Sequence, residues 1–180
     1  HLSLRRQRQM CIRDRLIRTI ADAVGKPDAG EALVKRTQEQ IDQAKKQIAA
    51  WKPAKPMRVA FLYVRGNAGV FFILGSENGA SELIQGVGAD DVASDKGITT
   101  LVPANAESLV SINPDAIFVM RDGLASTGGM KGLLARAGVA NTTAGRKQRV
   151  ISIPDGISLS FGPQTGEVLT AVAKALYGVK

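Results

Sequence analysis

Histidine and cysteine are almost missing from this chain of 180 residues: each occurs once, as His1 and Cys11. A single cysteine excludes an intrachain disulfide framework and any cysteine-cluster metal site. A single histidine, at the first position, excludes most zinc sites and leaves every serine without a conventional base. No apolar run approaches the ~18 residues that a membrane-crossing helix needs. Neither G-x-x-x-x-G-K-[ST] nor G-x-S-x-G occurs, so a P-loop and a nucleophile elbow are both absent. The rest of the composition is that of a globular protein, 44% apolar and 22% charged. That balance excludes a disordered chain, a collagen and a coiled-coil rod.

The formal net charge of +8 suggests nucleic acid or an acidic membrane until its location is considered. Residues 1–56 hold 13 Lys/Arg against 6 Asp/Glu, whereas residues 57–180 hold 11 against 10. The excess is therefore N-terminal. A nucleic-acid-binding module using this basic arm is the alternative of another class, but the stretch has no interleaved aromatics and no recognisable motif. The string Met10-Cys11-Ile12-Arg13-Asp14-Arg15 looks like translated sequencing-adapter DNA. Residues 1–15 are therefore expected to be a non-native tail and are set aside. The arginines are followed by no apolar stretch, so no signal peptide is expected here, and Cys11 lacks a lipoprotein-type context.

Residues 16–24 carry helical spacing, Gly25 closes that helix and Pro27-Asp28 reads as a turn. The next helix is expected from Ala29 to Trp51. Val34, Ile41 and Ile48 repeat along one stripe with Ala44 and Trp51, over a length of roughly 30 Å. Lys52-Pro53-Ala54-Lys55-Pro56 is the clearest boundary in the chain. Beyond it, strands at 59–64, 116–120 and 150–153 alternate with helices at 80–87, 104–112, 130–137 and 164–177. Val59 to Val64 is continuously apolar, as a buried parallel strand requires. The spacing predicts an α/β fold, a doubly wound and mostly parallel sheet.

Ligands of such sheets bind beyond the carboxyl ends of the strands, here after Val64, Met120 and Ile153. The first of these segments is glycine-rich, but Gly66-x-x-Gly69 is not a dinucleotide fingerprint and no acidic residue follows at the required distance. Asp90, Asp91 and Asp95 read as an exposed loop rather than a metal site. The unusual element is Tyr63-Val64-Arg65. Alternation places Tyr63 and Arg65 on one face. A cation beside a phenol favours the phenolate, a hard anionic ligand for ferric iron of the type found in catalase haem. The loop that follows offers flat apolar surface in Val70, Phe71 and Phe72. Chemistry alone favours a simpler reading, an edge tyrosine with its hydroxyl in water beside a solvated arginine.

Several segments taken together carry a resemblance. They are Arg58-Val-Ala-Phe-Leu-Tyr-Val-Arg-Gly66, Gly69-Val-Phe-Phe-Ile-Leu-Gly75, Pro114-Asp-Ala-Ile-Phe-Val-Met120, Gly128-Gly129 and Ser160-Phe-Gly-Pro163. In order and spacing the chain resembles the haemin-binding proteins of bacterial ABC importers, over roughly residues 16–180. Their wider class has the periplasmic-binding-protein fold, two α/β lobes joined by one rigid helix with the ligand in the cleft. The resemblance implies that residues 16–28 are a remnant of the N-terminal lobe, 29–52 the connector helix and 57–180 the C-terminal lobe.

It further implies that Tyr63 is an axial haem-iron ligand supported by Arg65. Cleft contacts would come from Gly66, Val70, Phe71, Phe72, Arg121, Gly128, Gly129 and Phe161, with Ser126 beside them. Phe71 and Phe72 stand where relatives often carry tyrosines. Some relatives supply the opposite axial ligand from a histidine of the N-terminal lobe, so weak or five-coordinate haem binding is expected. Glu77, or alternatively Glu82, would dock on the permease dimer at the membrane. The implied protein is a monomeric, non-enzymatic carrier in the periplasm or otherwise extracytoplasmic, with or without a lipid anchor. It takes haem as its transported ligand and has no nucleic-acid partner. A ferric siderophore or cobalamin on the same fold is the alternative cargo.

Overall fold

The break at residues 52–56 separates a helical pair from an alternating strand–helix unit in the computed structural model, which describes residues 2–66, 69–156 and 159–179. Helix α1 (Leu2–Ala23) is longer than the helix expected from residue 16, because residues 2–15 continue it rather than standing apart as a tail. Gly25 ends it with φ of 68°, and helix α2 (Pro27–Trp51) follows. Pro27 is therefore a helix-start residue and not a turn residue, a position where its fixed φ is favourable and its missing N–H costs nothing. The buried stripe of α2 is Gly30, Val34, Thr37, Ile41, Ala44 and Ile48, the expected heptad line with two small residues added. Among the described residues no helix is long and apolar enough to cross a membrane.

The sheet contains β1 (Arg58–Arg65), β2 (Val70–Leu74), β3 (Asp90–Asp91), β4 (Leu101–Pro103), β5 (Ala116–Met120) and β6 (Val150–Ile153). Their order is β4-β2-β1-β5-β6, with β3 pairing the start of β1. The pairings β1–β3, β1–β5 and β5–β6 are parallel; β1–β2 and β2–β4 are antiparallel. The sheet is thus mostly parallel, as its apolar central strands predict. Val70, Phe71 and Phe72, expected in a loop, belong to the strand Val70–Leu74. Gly66 and Gly69, with φ of 54° and 75°, turn the chain tightly enough for Val70–Leu74 to fold back on β1.

Helices cover both faces of the sheet. On one face, α2, α3 (Ala80–Gly86) and α9 (Thr165–Tyr177) pack on Val59, Phe61, Phe118, Ile151 and Ile153. Phe61 and Phe118 meet edge to face, with centroids 6.4 Å apart, a favoured aromatic geometry. On the other face, α4 (Val92–Asp95), α5 (Ala106–Ile112), α7 (Gly129–Leu134) and α8 (Thr143–Arg146) pack on Ala60, Leu62, Val64, Ile117 and Val119. One further helix, α6 (Arg121–Ser126), follows directly from β5. Alternate residues of β1 feed the two cores, which is why the whole strand reads as apolar.

The acidic segment 90–95 departs from its expected loop. Asp91 is 3% exposed. Its Oδ1 accepts the Ala93 amide at 3.0 Å and its Oδ2 accepts the Ser81 hydroxyl. The carboxylate is therefore the N-cap of α4, a structural duty that hydrophilicity alone does not reveal.

Candidate functional site

Strand β1 delivers Tyr63 and Arg65 to the carboxyl end of the sheet, where ligands of parallel sheets bind. Both side chains point to the α2/α9 face, and Tyr63 packs on that core while remaining half-buried. Arg65 Nε donates to Tyr63 Oη at 3.4 Å, and the guanidinium lies 5.5 Å from the phenol ring centroid. The tyrosine–cation pair expected from alternation is therefore formed. The hydrogen bond to Tyr63 raises the Arg65 pKa above its usual value; desolvation opposes this, and Asp155 and Asp122 add to it. The cation beside the phenol stays charged.

A carboxylate unnoticed in the sequence completes the group. Asp155 Oδ1 lies 3.5 Å from Arg65 Nη2, and Asp155 Oδ2 accepts the Asp122 amide at 2.9 Å. Asp155 follows Ile153 by two residues, in one of the strand-end segments where ligands are expected. The sequence signal was hidden because Pro154-Asp155-Gly156 reads as a plain turn.

The turn after Arg65 is held from two sides. The Gly66 amide donates to Ser126 Oγ at 2.7 Å, and Arg136 Nη2 donates to the Gly66 carbonyl. The approach of α6 requires Gly123, since a Cβ there would lie 2.6 Å from the Val64 carbonyl oxygen. Arg136 also stacks over Phe71, 4.8 Å from its centroid. Arg136 is a second contributor that sequence reading missed, being one of several dispersed arginines.

The expected apolar surface divides by strand register. Phe72 pairs with Tyr63 and Val70 with Arg65, whereas Phe71 pairs with Val64. Phe72 and Val70 thus share the face of Tyr63, and Phe71 turns to the opposite core. Phe161 joins Tyr63 at the edge of the first core, with a left-handed φ of 47°. Arg121 begins α6 and is exposed, and Gly128 and Gly129 lead into α7 with φ of 84° and 74°. Phe161 and Glu77 also line a groove of about 770 Å³ beside Leu16, Ile20 and Leu33. Tyr63 does not line that groove.

The two acidic candidates differ. Glu77 is exposed in a short 3-10 turn (Ser76–Asn78) whose backbone is tied to Ile98 and Thr99. Glu82 is half-buried in α3, and its Oε2 has no hydrogen-bond partner among the described residues. No cluster of three or more His, Cys, Asp or Glu that could hold a bare metal ion occurs among the described residues.

Residues 13–156 match the family model of the periplasmic binding proteins. No match is found among curated proteins. Among solved structures, the heme binding protein HmuT is 47% identical with a TM-score of 0.90, and the match covers 95% of this chain and 55% of that one. Periplasmic heme-binding protein RhuT from Roseiflexus sp. RS-1 is 34% identical, with a TM-score of 0.86 over 92% of this chain and 62% of that one. Periplasmic heme-binding protein BhuT, solved with two hemes, is 30% identical, with a TM-score of 0.84 over 94% and 63%. Solved variants of HmuT include alanine replacements of a tyrosine and of an arginine two positions beyond it, the spacing of Tyr63 and Arg65. The chain spans little more than half the length of HmuT. Through its sheet, its long helix and the family match over most of its length, the chain belongs to the periplasmic binding proteins.

Proposed function

We propose that this chain is the C-terminal lobe and connector of an extracytoplasmic haem carrier that feeds an ABC importer. The single observation that carries the reading is the Tyr63–Arg65 pair, a phenol oxygen receiving a guanidinium hydrogen bond at the ligand-binding end of the sheet. A haem brings four equatorial nitrogens and needs an axial donor. Tyr63 Oη is a hard anionic donor once ionised, and Arg65 Nε donates a hydrogen bond to it. Phe72 and Val70, on the same face, supply apolar surface for the macrocycle, and the exposed Arg121 supplies a cation for a propionate. Tyr63 is then the axial ligand, Arg65 its support, and Gly66, Gly128, Gly129 and Phe161 shape the mouth of the site.

The remaining assignments belong to the same reading. Residues 27–51 act as the connector, residues 57–180 form the C-terminal lobe, and residues 1–15 are of foreign origin, although the chain is helical from Leu2 onward. Glu77, exposed on a rigid turn, is a better docking carboxylate for a basic permease pocket than half-buried Glu82. The protein captures and hands over its ligand without chemical conversion, as a monomer in the periplasm.

Haemin titration of the chain and of Tyr63→Phe, followed through the Soret band, tests the assignment. The substitution is expected to weaken binding by on the order of 100-fold, since partners outside the ligand shell alone are worth ~10–100-fold. Equal spectra and affinities in the two proteins would remove Tyr63 as ligand.

A further inference from the structure

We infer that Asp155 is a positioning residue for the Tyr63–Arg65 pair, setting the direction in which Arg65 presents its Nε–H; this rests on the haem reading above. An arginine side chain has several rotatable bonds, and a single weak contact does not fix its plane. Arg65 remains 43% exposed, so packing does not fix it either. Its polar side-chain partners lie at opposite ends of the guanidinium. Nε meets Tyr63 Oη at 3.4 Å and Nη2 meets Asp155 Oδ1 at 3.5 Å. Two anchors at two ends define a plane where one does not.

Asp155 is suited to the task because it is itself held. Its side chain is 23% exposed, and its second oxygen accepts the Asp122 amide at 2.9 Å. The carboxylate therefore joins the loop after β6, the first turn of α6 and the end of β1. A half-exposed ion pair contributes little to folding, so stability alone gives this arrangement no purpose. Outer partners that orient a ligand are, by contrast, worth a substantial part of metal affinity. Without Asp155 the guanidinium would swing toward solvent, and the phenol oxygen would lose its donor.

Asp155→Asn separates the two roles of the carboxylate. The amide oxygen can still accept from Asp122, so α6 keeps its start, while the side-chain NH2 cannot pair with a guanidinium. The expected result is haemin binding ~10-fold weaker, with a shifted phenolate-to-iron charge-transfer band and an unchanged urea midpoint. In an Arg65→Ala background the same substitution is expected to add nothing, because Asp155 acts through Arg65. An equal loss in both backgrounds, or no change in the parent, overturns the inference. Solvent exchange of the Arg65 Nε proton, measured by NMR without haemin, supplies an arm free of the haem assignment. Faster exchange in Asp155→Asn supports the positioning role and unchanged exchange overturns it. If Tyr63→Phe binds haemin as the parent does, the haem reading falls, and this exchange measurement alone decides the role of Asp155.

Discussion

Phe72 stands directly opposite Tyr63 across the antiparallel β1–β2 pair, whereas its neighbour Phe71 stands opposite Val64. The two phenylalanines are adjacent in sequence, but Phe71 packs against the core of one face while Phe72 shares the opposite face with Tyr63. They therefore separate binding from stability. Phe72→Ala is expected to reduce haemin affinity several-fold with a small change in folding. Phe71→Ala removes a half-buried ring and its stacking with Arg136, costing about 1–2 kcal/mol. Haemin titration and urea denaturation on both variants measure the contrast. Equal losses of affinity would show that the register does not sort the two rings.

Ser126 holds the turn beyond Arg65 through one hydroxyl, accepting from the Gly66 amide at 2.7 Å and donating to the Gly123 carbonyl at 2.6 Å. Ser126→Ala leaves the Gly66 amide to solvent at this exposed site, so the folding cost is about 0.5–1 kcal/mol. The larger expected effect is kinetic, with faster haemin release as the turn loosens. Stopped-flow transfer of haemin to an apo-globin acceptor measures it. A release rate equal to that of the parent would show that Arg136 alone fixes the turn.

Much of this was legible in the sequence, and the parts that were not share a cause. β1 and β5 are continuous apolar runs, and a strand buried on both faces leaves that record without help from context. The Tyr63–Arg65 pair follows from a period of two within such a strand. β2 was hidden because Gly66 and Gly69 suggested a ligand loop, when the same residues also permit a tight reversal between strands. Asp91 and Asp155 were hidden for a different reason. Each is a carboxylate whose partner lies far along the chain or in its own backbone, namely Ser81 and Ala93 for one, Arg65 and Asp122 for the other. Spacing patterns record periodic burial, but they do not record which distant donor meets an acceptor.

Asp91 gives the chain a pH response that is independent of the ligand. Burial raises its pKa above the usual carboxylate value, opposed by the hydrogen bonds from Ser81 and the local backbone. A folded-state pKa above the unfolded one means that the folded protein binds the proton more tightly. The resulting stabilisation is complete below the unfolded-state pKa and is lost as pH rises through the folded-state value. Denaturant midpoints measured from about pH 4 to pH 7 should therefore contain a contribution that declines with pH, around and above the ordinary carboxylate range. Asp91→Asn keeps a cap oxygen and removes the titration, so this contribution should be lost from the variant and appear as a pH-dependent difference between the two proteins. A difference between parent and variant that is constant across this range would refute the assignment.

Gly166 decides how closely α9 approaches α2. It is buried in the first turn of α9, and a Cβ there would lie 2.8 Å from the Gln40 carbonyl carbon and oxygen. Replacing glycine by alanine within a helix ordinarily gains up to about 1 kcal/mol. Here the obstacle is backbone on the neighbouring helix, which moves only if the two helices separate, and overpacking of that kind costs about 1–3 kcal/mol. The steric term wins, so Gly166→Ala is expected to be destabilising by about 1–2 kcal/mol, or roughly 2–8 °C in Tm for a chain of this size. The same shift would loosen α2 from α9. Calorimetry on the variant provides the check, and a Tm at or above that of the parent would mean that the α2–α9 contact yields without cost.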